Sequence, residues 1–163
     1  MINHFINKTD HEVLNCLGFH KIGEWMSDQK NSDIIKPIFD EGTFVNEIRK
    51  KPGLYAFVSE NPDTGEKIVR YVGKVECGSK QLDQRLANYQ RIHIKNTKSH
   101  AKRGRRIKDL LDKNQKVLIF ALIPDQITKY REIEINLIDG LEYPIAHIFK
   151  TRHGVKMWNE RCV

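Results

Sequence analysis

Apolar positions are unevenly spaced along the chain, and the spacing changes character several times. Near the start, Val13, Leu14 and Leu17 have a helical spacing that ends at about Gly18. The following "FHKIGEW" (19–25) reads as a short strand or turn, and "DIIKPIFDEGTFVNEIRKK" (33–51), broken by Pro37 and Gly42, as a weak helix or loop. From Gly53 the pattern becomes β-rich: "GLYAFVSE" (53–60), the turn formers "NPDTG" (61–65), then "EKIVRYVGK" (66–74), which together predict a hairpin. In "KQLDQRLANYQRI" (80–92), Leu82, Leu86 and Tyr89 fall on one helical face with Arg85 close to it.

Farther along, "HAKRGRR" (100–106) has Gly104 inside a run of charge and reads as a basic loop leading into "RIKDLLDK". "KVLIFALIPD" (116–125) predicts a third, central strand. Ile133, Ile135 and Leu137 then alternate with Glu132, Glu134 and Asn136, which is strand periodicity. From Leu141 the spacing turns helical through Ile145 and Ile148/Phe149. Asp139 and Glu142 fit a capping box that starts this helix at 139 or 140, with Pro144 close to its first turn.

Composition adds charge to this outline. The 163 residues suit one domain, and 28 Lys+Arg against 21 Asp+Glu give a net +7. Residues 91–116 hold ten Lys/Arg and two Asp, an excess of eight positive charges that exceeds the net charge of the whole chain. Such concentration suits a polyanionic partner, with a solvated helix face as the plainer alternative. Cys16, Cys77 and Cys162 have no CxxC spacing, so reduced thiols are expected in place of a disulfide framework or zinc cluster. His93, His100, His147 and His153 form no metal-ligand spacing either. The opening residues lack the apolar core of a signal peptide, and the longest apolar run (117–123) is far short of a bilayer span. A soluble, cytoplasmic protein without membrane contact is the expectation.

Taken singly, a tyrosine in a strand is more often a core ring than a reactive group. The ordered set carries more information: "GLY" (53–55), "YVGK" (71–74), Arg85, Tyr89 one helical turn later, a helix-borne glutamate and the closing "WN" (158–159). Over residues 49–163 this set resembles the GIY-YIG nuclease family, with restriction-type and phage-type members the nearest in pattern. The resemblance implies an α+β domain, a small central three-stranded antiparallel sheet flanked by helices, preceded by an N-terminal extension over 1–48. It implies hydrolysis of DNA phosphodiester bonds with one divalent cation, Mg²⁺ or Mn²⁺.

On that resemblance Glu142 is the metal ligand, a hard oxygen donor suited to Mg²⁺, and Glu134 in "EINLI" is its competitor. Arg85 is the phosphate clamp, since a guanidinium is permanently charged and matches two phosphate oxygens. Tyr55 and Tyr71 are the paired tyrosines, one of which orients or deprotonates the attacking water. Lys74 is placed to favour the phenolate, Gly73 to admit substrate, and Tyr89 stands where members carry Tyr or His. Asn159 braces the site. Its distance along the chain from Glu142 is wider than the family pattern, which suggests "KTRHG" (150–154) as an inserted loop. Lys95, Lys98, Lys102, Arg103, Arg105 and Arg106 are candidates for DNA backbone contact.

Three alternatives stay open on the sequence: a non-catalytic nucleic-acid-binding module on the same fold, a repair-type nuclease in a larger assembly, and a homing enzyme. The last would need a linker and a separate DNA-binding domain, for which this length leaves no room. One catalytic set per chain allows either a homodimer or successive nicks by one chain.

Overall fold

The run "GLYAFVS" is buried at every position, as a strand must be when both faces are covered. The computed structural model describes residues 5–28, 30, 31, 34–76, 81–90, 92, 99–124 and 127–159. Within them the chain runs α1 (Asp10–Cys16), β1 (His20–Ser27), β2 (Ile35–Phe39), α2 (Thr43–Ile48), β3 (Gly53–Glu60), β4 (Lys67–Val75), α3 (Leu82–Ala87), α4 (Ser99–Asp112), β5 (Lys116–Leu122), β6 (Ile127–Tyr130), β7 (Ile133–Asn136) and α5 (Leu137–His153). Among the described residues no helix is long and apolar enough to cross a membrane.

The sheet is wider than the three strands expected. Its order is β2-β1-β5-β3-β4, every neighbouring pair antiparallel, with β6 and β7 forming a separate two-stranded ribbon. The two added strands come from residues that precede the resemblance. Their signals are masked by two residues that usually break structure. Gly23 lies in β1 because a Cβ there would stand 2.2 Å from the Ile38 carbonyl oxygen, so the two backbones approach closely. Pro37 is tolerated because β2 is an edge strand, where a missing N–H disturbs no central ladder.

Side chains from the two faces make two cores. One gathers Ile22, Trp25, Tyr55, Phe57, Tyr71, Val75, Leu82, Leu86, Tyr89 and Ile107, and so packs α3 and α4 on the sheet. The other gathers Val13, Leu14, Leu54, Ala56, Val58, Val69, Val72, Ile145 and Phe149, packing α1 and α5 on the opposite face. The result is a three-layer sandwich with β5, the strand expected to be central, in the middle of the sheet and β3 buried beside it.

Three further expectations are corrected here. Residues 99–112 are helix, not a basic loop. Gly104 serves close packing there: a Cβ would stand 2.3 Å from the Tyr89 carbonyl oxygen, and Ala101, Gly104 and Ile107 form the buried face of the helix. Helix α5 starts at Leu137, with the Asn136 side chain accepting from Ile138 N at 3.0 Å, and it continues through His153. Pro144 therefore lies inside the helix, and "KTRH" is its last turn in place of an inserted loop.

That last turn reaches the N-terminal helix. Asp10, buried at 2% exposure, accepts from Arg152 Nε at 3.0 Å and lies 2.6 Å from His153 Nε2. Its Oδ2 also accepts from Val69 N at 2.7 Å on the outer edge of β4. Arg152 further donates to the carbonyls of Phe5 (2.9 Å) and Lys8 (2.5 Å). Asp10→Ala would strand a largely buried guanidinium and an edge N–H. It is expected to destabilise the protein by about 3 kcal/mol in urea unfolding, and a loss below about 1 kcal/mol would contradict the role given to this contact.

Candidate active site

Strand pairing sets the centre of the site. Tyr55 on β3 pairs with Gly73 on β4, and Phe57 pairs with Tyr71, so the two tyrosines share the face covered by α3 and α4. Their ring centroids are 5.9 Å apart. Gly73 is required by those rings: a Cβ there would stand 2.7 Å from Tyr55 Cζ and Oη and from Tyr71 Cε1. The space it leaves is filled by tyrosine, and is not open to substrate as the sequence suggested.

The third phenol follows α3. Tyr89 lies in a 3-10 turn over Asn88–Gln90 and its hydroxyl is 2.5 Å from that of Tyr55, both side chains being fully buried. Trp25 and Phe57 meet the Tyr89 ring edge-on at 6.3 and 5.3 Å, which fixes it from behind. Burial pushes the Tyr71 hydroxyl far above its ordinary range, with Tyr55 adding to the effect and Arg103 and a hydrogen bond from Tyr89 opposing it. Burial raises Tyr89 in the same way, helped by Tyr55 and Tyr71. At neutral pH these two are protonated phenols, able to donate hydrogen bonds and to orient a water.

Arg85 projects from α3 toward this cluster. Burial disfavours its charge, but the phenolic oxygens of Tyr55, Tyr89 and Tyr71 more than offset that and hold it positive. Its Nε is buried with no hydrogen-bond partner, and no carboxylate forms an ion pair with it among the described residues. A half-buried cation of this kind lacks its anion.

Glu142 faces the same centre from α5. Burial raises its carboxyl above the usual range, Lys74, Arg103 and Arg85 pull it back, and Asp139 pushes it up. Lys74 is engaged by carboxylates. It donates to Asp139 Oδ1 at 2.7 Å and lies 3.2 Å from Glu76, the Asp139 bond being the chief reason that its ammonium is held above the usual range. Asp139 is thus a member of the site that the capping-box reading misplaced. Glu134 stands apart on the β6–β7 ribbon, 3.8 Å from Lys129.

Asn159 braces the outer edge of β4. It accepts from Val72 N at 3.0 Å and donates to Val72 O at 2.7 Å, while Trp158 N donates to Arg70 O at 2.6 Å. Its two bonds replace the ladder that an additional strand would supply. Among the basic candidates, Lys102 and Arg105 are exposed on α4 and Arg106 is half-buried. Arg103 turns inward, with its guanidinium 4.3 Å from the Tyr71 ring centroid. Lys95 and Lys98, like His93, lie outside the described residues. His147 stacks on Tyr143 and His153 holds Asp10.

One metal cation could be held here only through few protein oxygens. Among the described residues no group of three His, Cys, Asp or Glu side chains is arranged to hold a metal ion. Among the described residues Glu142 is the carboxylate offered at the centre, because Asp139 is engaged by Lys74. This fits Mg²⁺, which keeps most of its water and uses one or two carboxylates together with substrate phosphate oxygens.

No protein-family profile and no curated protein matches the chain. Its fold is similar to that of a Glu-to-Ala mutant of bacteriophage T4 EndoII, with TM-score 0.63 and 22% identity over 86% of this chain and 94% of the phage chain. A restriction endonuclease in complex with product DNA aligns over 93% of this chain and 84% of its own, at 16% identity and TM-score 0.49. At these identities the likeness to EndoII is one of fold.

The raised Glu142 carboxyl has a consequence for stability. Because the folded chain binds this proton more tightly than the unfolded one, the ionised form is a cost at neutral pH that is absent below the ordinary value of 4.5. Glu142→Gln is therefore expected to raise Tm by about 2 °C at pH 7, and to lose that gain as the pH falls below the ordinary carboxyl range. Thermal melts at both pH values check the sign.

Proposed function

We propose that this chain is a metal-dependent DNA endonuclease of the GIY-YIG type, restriction-like or phage-encoded. The observation that carries the reading is Arg85. It is a half-buried guanidinium with no carboxylate partner among the described residues, converging with Glu142 on three tyrosine hydroxyls. A phosphodiester supplies the missing anion, and the fork of a guanidinium matches two of its oxygens. The fold shared with phage T4 EndoII supports the same reading.

In this reading Arg85 binds the scissile phosphate, and the buried Tyr55–Tyr89 hydroxyl pair holds the Arg85 guanidinium in place for it. Tyr71, protonated and packed against Gly73, lends a hydroxyl to the same network. Glu142 is the residue that would hold Mg²⁺ or Mn²⁺, and the chemistry such an ion supplies is neutralisation of charge on the phosphoryl oxygens. Lys74 keeps Asp139 occupied, so that Glu142 offers its carboxylate without a second acid competing beside it. Asn159 holds β4, and hence Tyr71, in place. The exposed cations of α4 contact the DNA backbone and bring salt dependence to binding.

Supercoiled plasmid incubated with Mg²⁺ or Mn²⁺ is expected to be nicked or linearised, and chelation of the ion to stop it. Glu142→Gln is expected to lose at least about 10³-fold in cleavage rate while retaining DNA binding. Full activity of that variant would remove the assignment. Binding without nicking by the unaltered protein under either metal would favour a non-catalytic module on this fold.

A further inference from the structure

The sequence groups Arg103 with its basic neighbours, but the structure separates it from them. Lys102 and Arg105 are exposed, and Lys108 is paired with Asp112 one turn along α4. Arg103 is half-buried, with its guanidinium over the Tyr71 ring at 4.3 Å. The neighbouring Gly104 allows this depth, since its missing side chain lets α4 settle against the Tyr89 carbonyl. Like Arg85, Arg103 has no carboxylate within ion-pair distance among the described residues. Its charge is felt at Tyr71, Tyr89 and Glu142, the same groups that surround Arg85.

We propose that Arg103 is a second guanidinium of the reaction centre, contacting the scissile phosphate together with Arg85, so that the bound anion bridges α3 and α4. This rests on the endonuclease reading above. In the hydrolysis, the water oxygen bonds to phosphorus while the bond to the leaving oxygen breaks and its electron pair stays on that oxygen. One water proton is released and the leaving oxygen takes up one, leaving a phosphate monoester and a hydroxyl. The non-bridging oxygens carry the most charge midway, and a cation fixed by an aromatic ring needs no reorganisation to meet it. A mobile surface lysine would instead contribute equally to binding the ground state.

The test separates rate from binding. Single-turnover cleavage of a duplex at saturating protein with Mg²⁺, and Kd for the same duplex with Ca²⁺ in place of Mg²⁺, are measured for Arg103→Ala and Arg103→Lys. Arg103→Ala is expected to cleave about 100-fold more slowly, with Kd changed less than about threefold, and Arg103→Lys to recover about tenfold of that loss. Arg103→Ala cleaving at the unaltered rate overturns the proposal, whatever its Kd. Should circular dichroism show Arg103→Ala unfolded, Arg103→Lys decides: a rate about tenfold below the unaltered protein supports the proposal, and an equal rate overturns it. An unaltered protein that cleaves, a Glu142→Gln variant that does not, and an unimpaired Arg103→Ala would refute this inference alone. Absence of cleavage by the unaltered protein under every metal would refute the reading it rests on.

Discussion

The outer edge of β4 is the constraint on which the site depends. An edge strand presents unpaired N–H and C=O groups, and here the strand that bears Tyr71, Gly73 and Lys74 is such an edge. Three different devices satisfy it: the Asp10 carboxylate on Val69 N, the Trp158 N–H on Arg70 O, and the Asn159 amide on both groups of Val72. Without them β4 would keep its ladder to β3 and its packing on the two cores, but its outer edge would have no hydrogen-bonded support beside the two tyrosines packed around a missing side chain. Asp10 is itself gripped by Arg152 and His153, so α5, which carries Glu142, is tied to the same edge.

The candidate site lies where this edge meets the two helix layers. Tyrosines and arginines come from the face covered by α3 and α4, and Glu142 comes from α5, whose core lies on the other face. Opposite charges thus approach one centre from different layers without neutralising one another by ion pairs among the described residues. At this centre, among the described residues, Arg85, Arg103 and Glu142 are half-buried without an ion pair, an arrangement that is poor for stability and suited to an anionic ligand.

Much of the central fold is legible in local pattern. The uninterrupted apolar run of β3, the turn after it and the period-2 spacing of β7 each match a local rule, as does the helical face that continues from α3 to Tyr89. What is hidden depends on tertiary contact. Gly23 and Pro37 read as breakers because nothing local says that β1 and β2 cross closely or that β2 is an edge. Gly104 reads as a loop residue because its reason is the Tyr89 carbonyl. The residues named from ordered motifs, Tyr55, Tyr71, Arg85, Tyr89 and Glu142, do converge in space. The sequence names Arg103 only among the backbone-contact cations and Asp139 only as a helix cap, because a motif lists order along the chain and says nothing of which arginine on a basic segment turns inward.

The clasp on β4 also bears on how the chain acquires its final form. Asp10 meets Val69, Arg152 and His153, and Asn159 meets Val72, so the edge closes only when segments distant in sequence have docked. Contacts of such long sequence separation form after local ones, since loop closure must precede any gain from them. β3, β4 and their turn can therefore pair early, while the brace that aligns Tyr71 with Glu142 forms late. A chain still emerging during synthesis, or one partly unravelled, would hold these side chains without their alignment, and the candidate site would be assembled only in the finished fold.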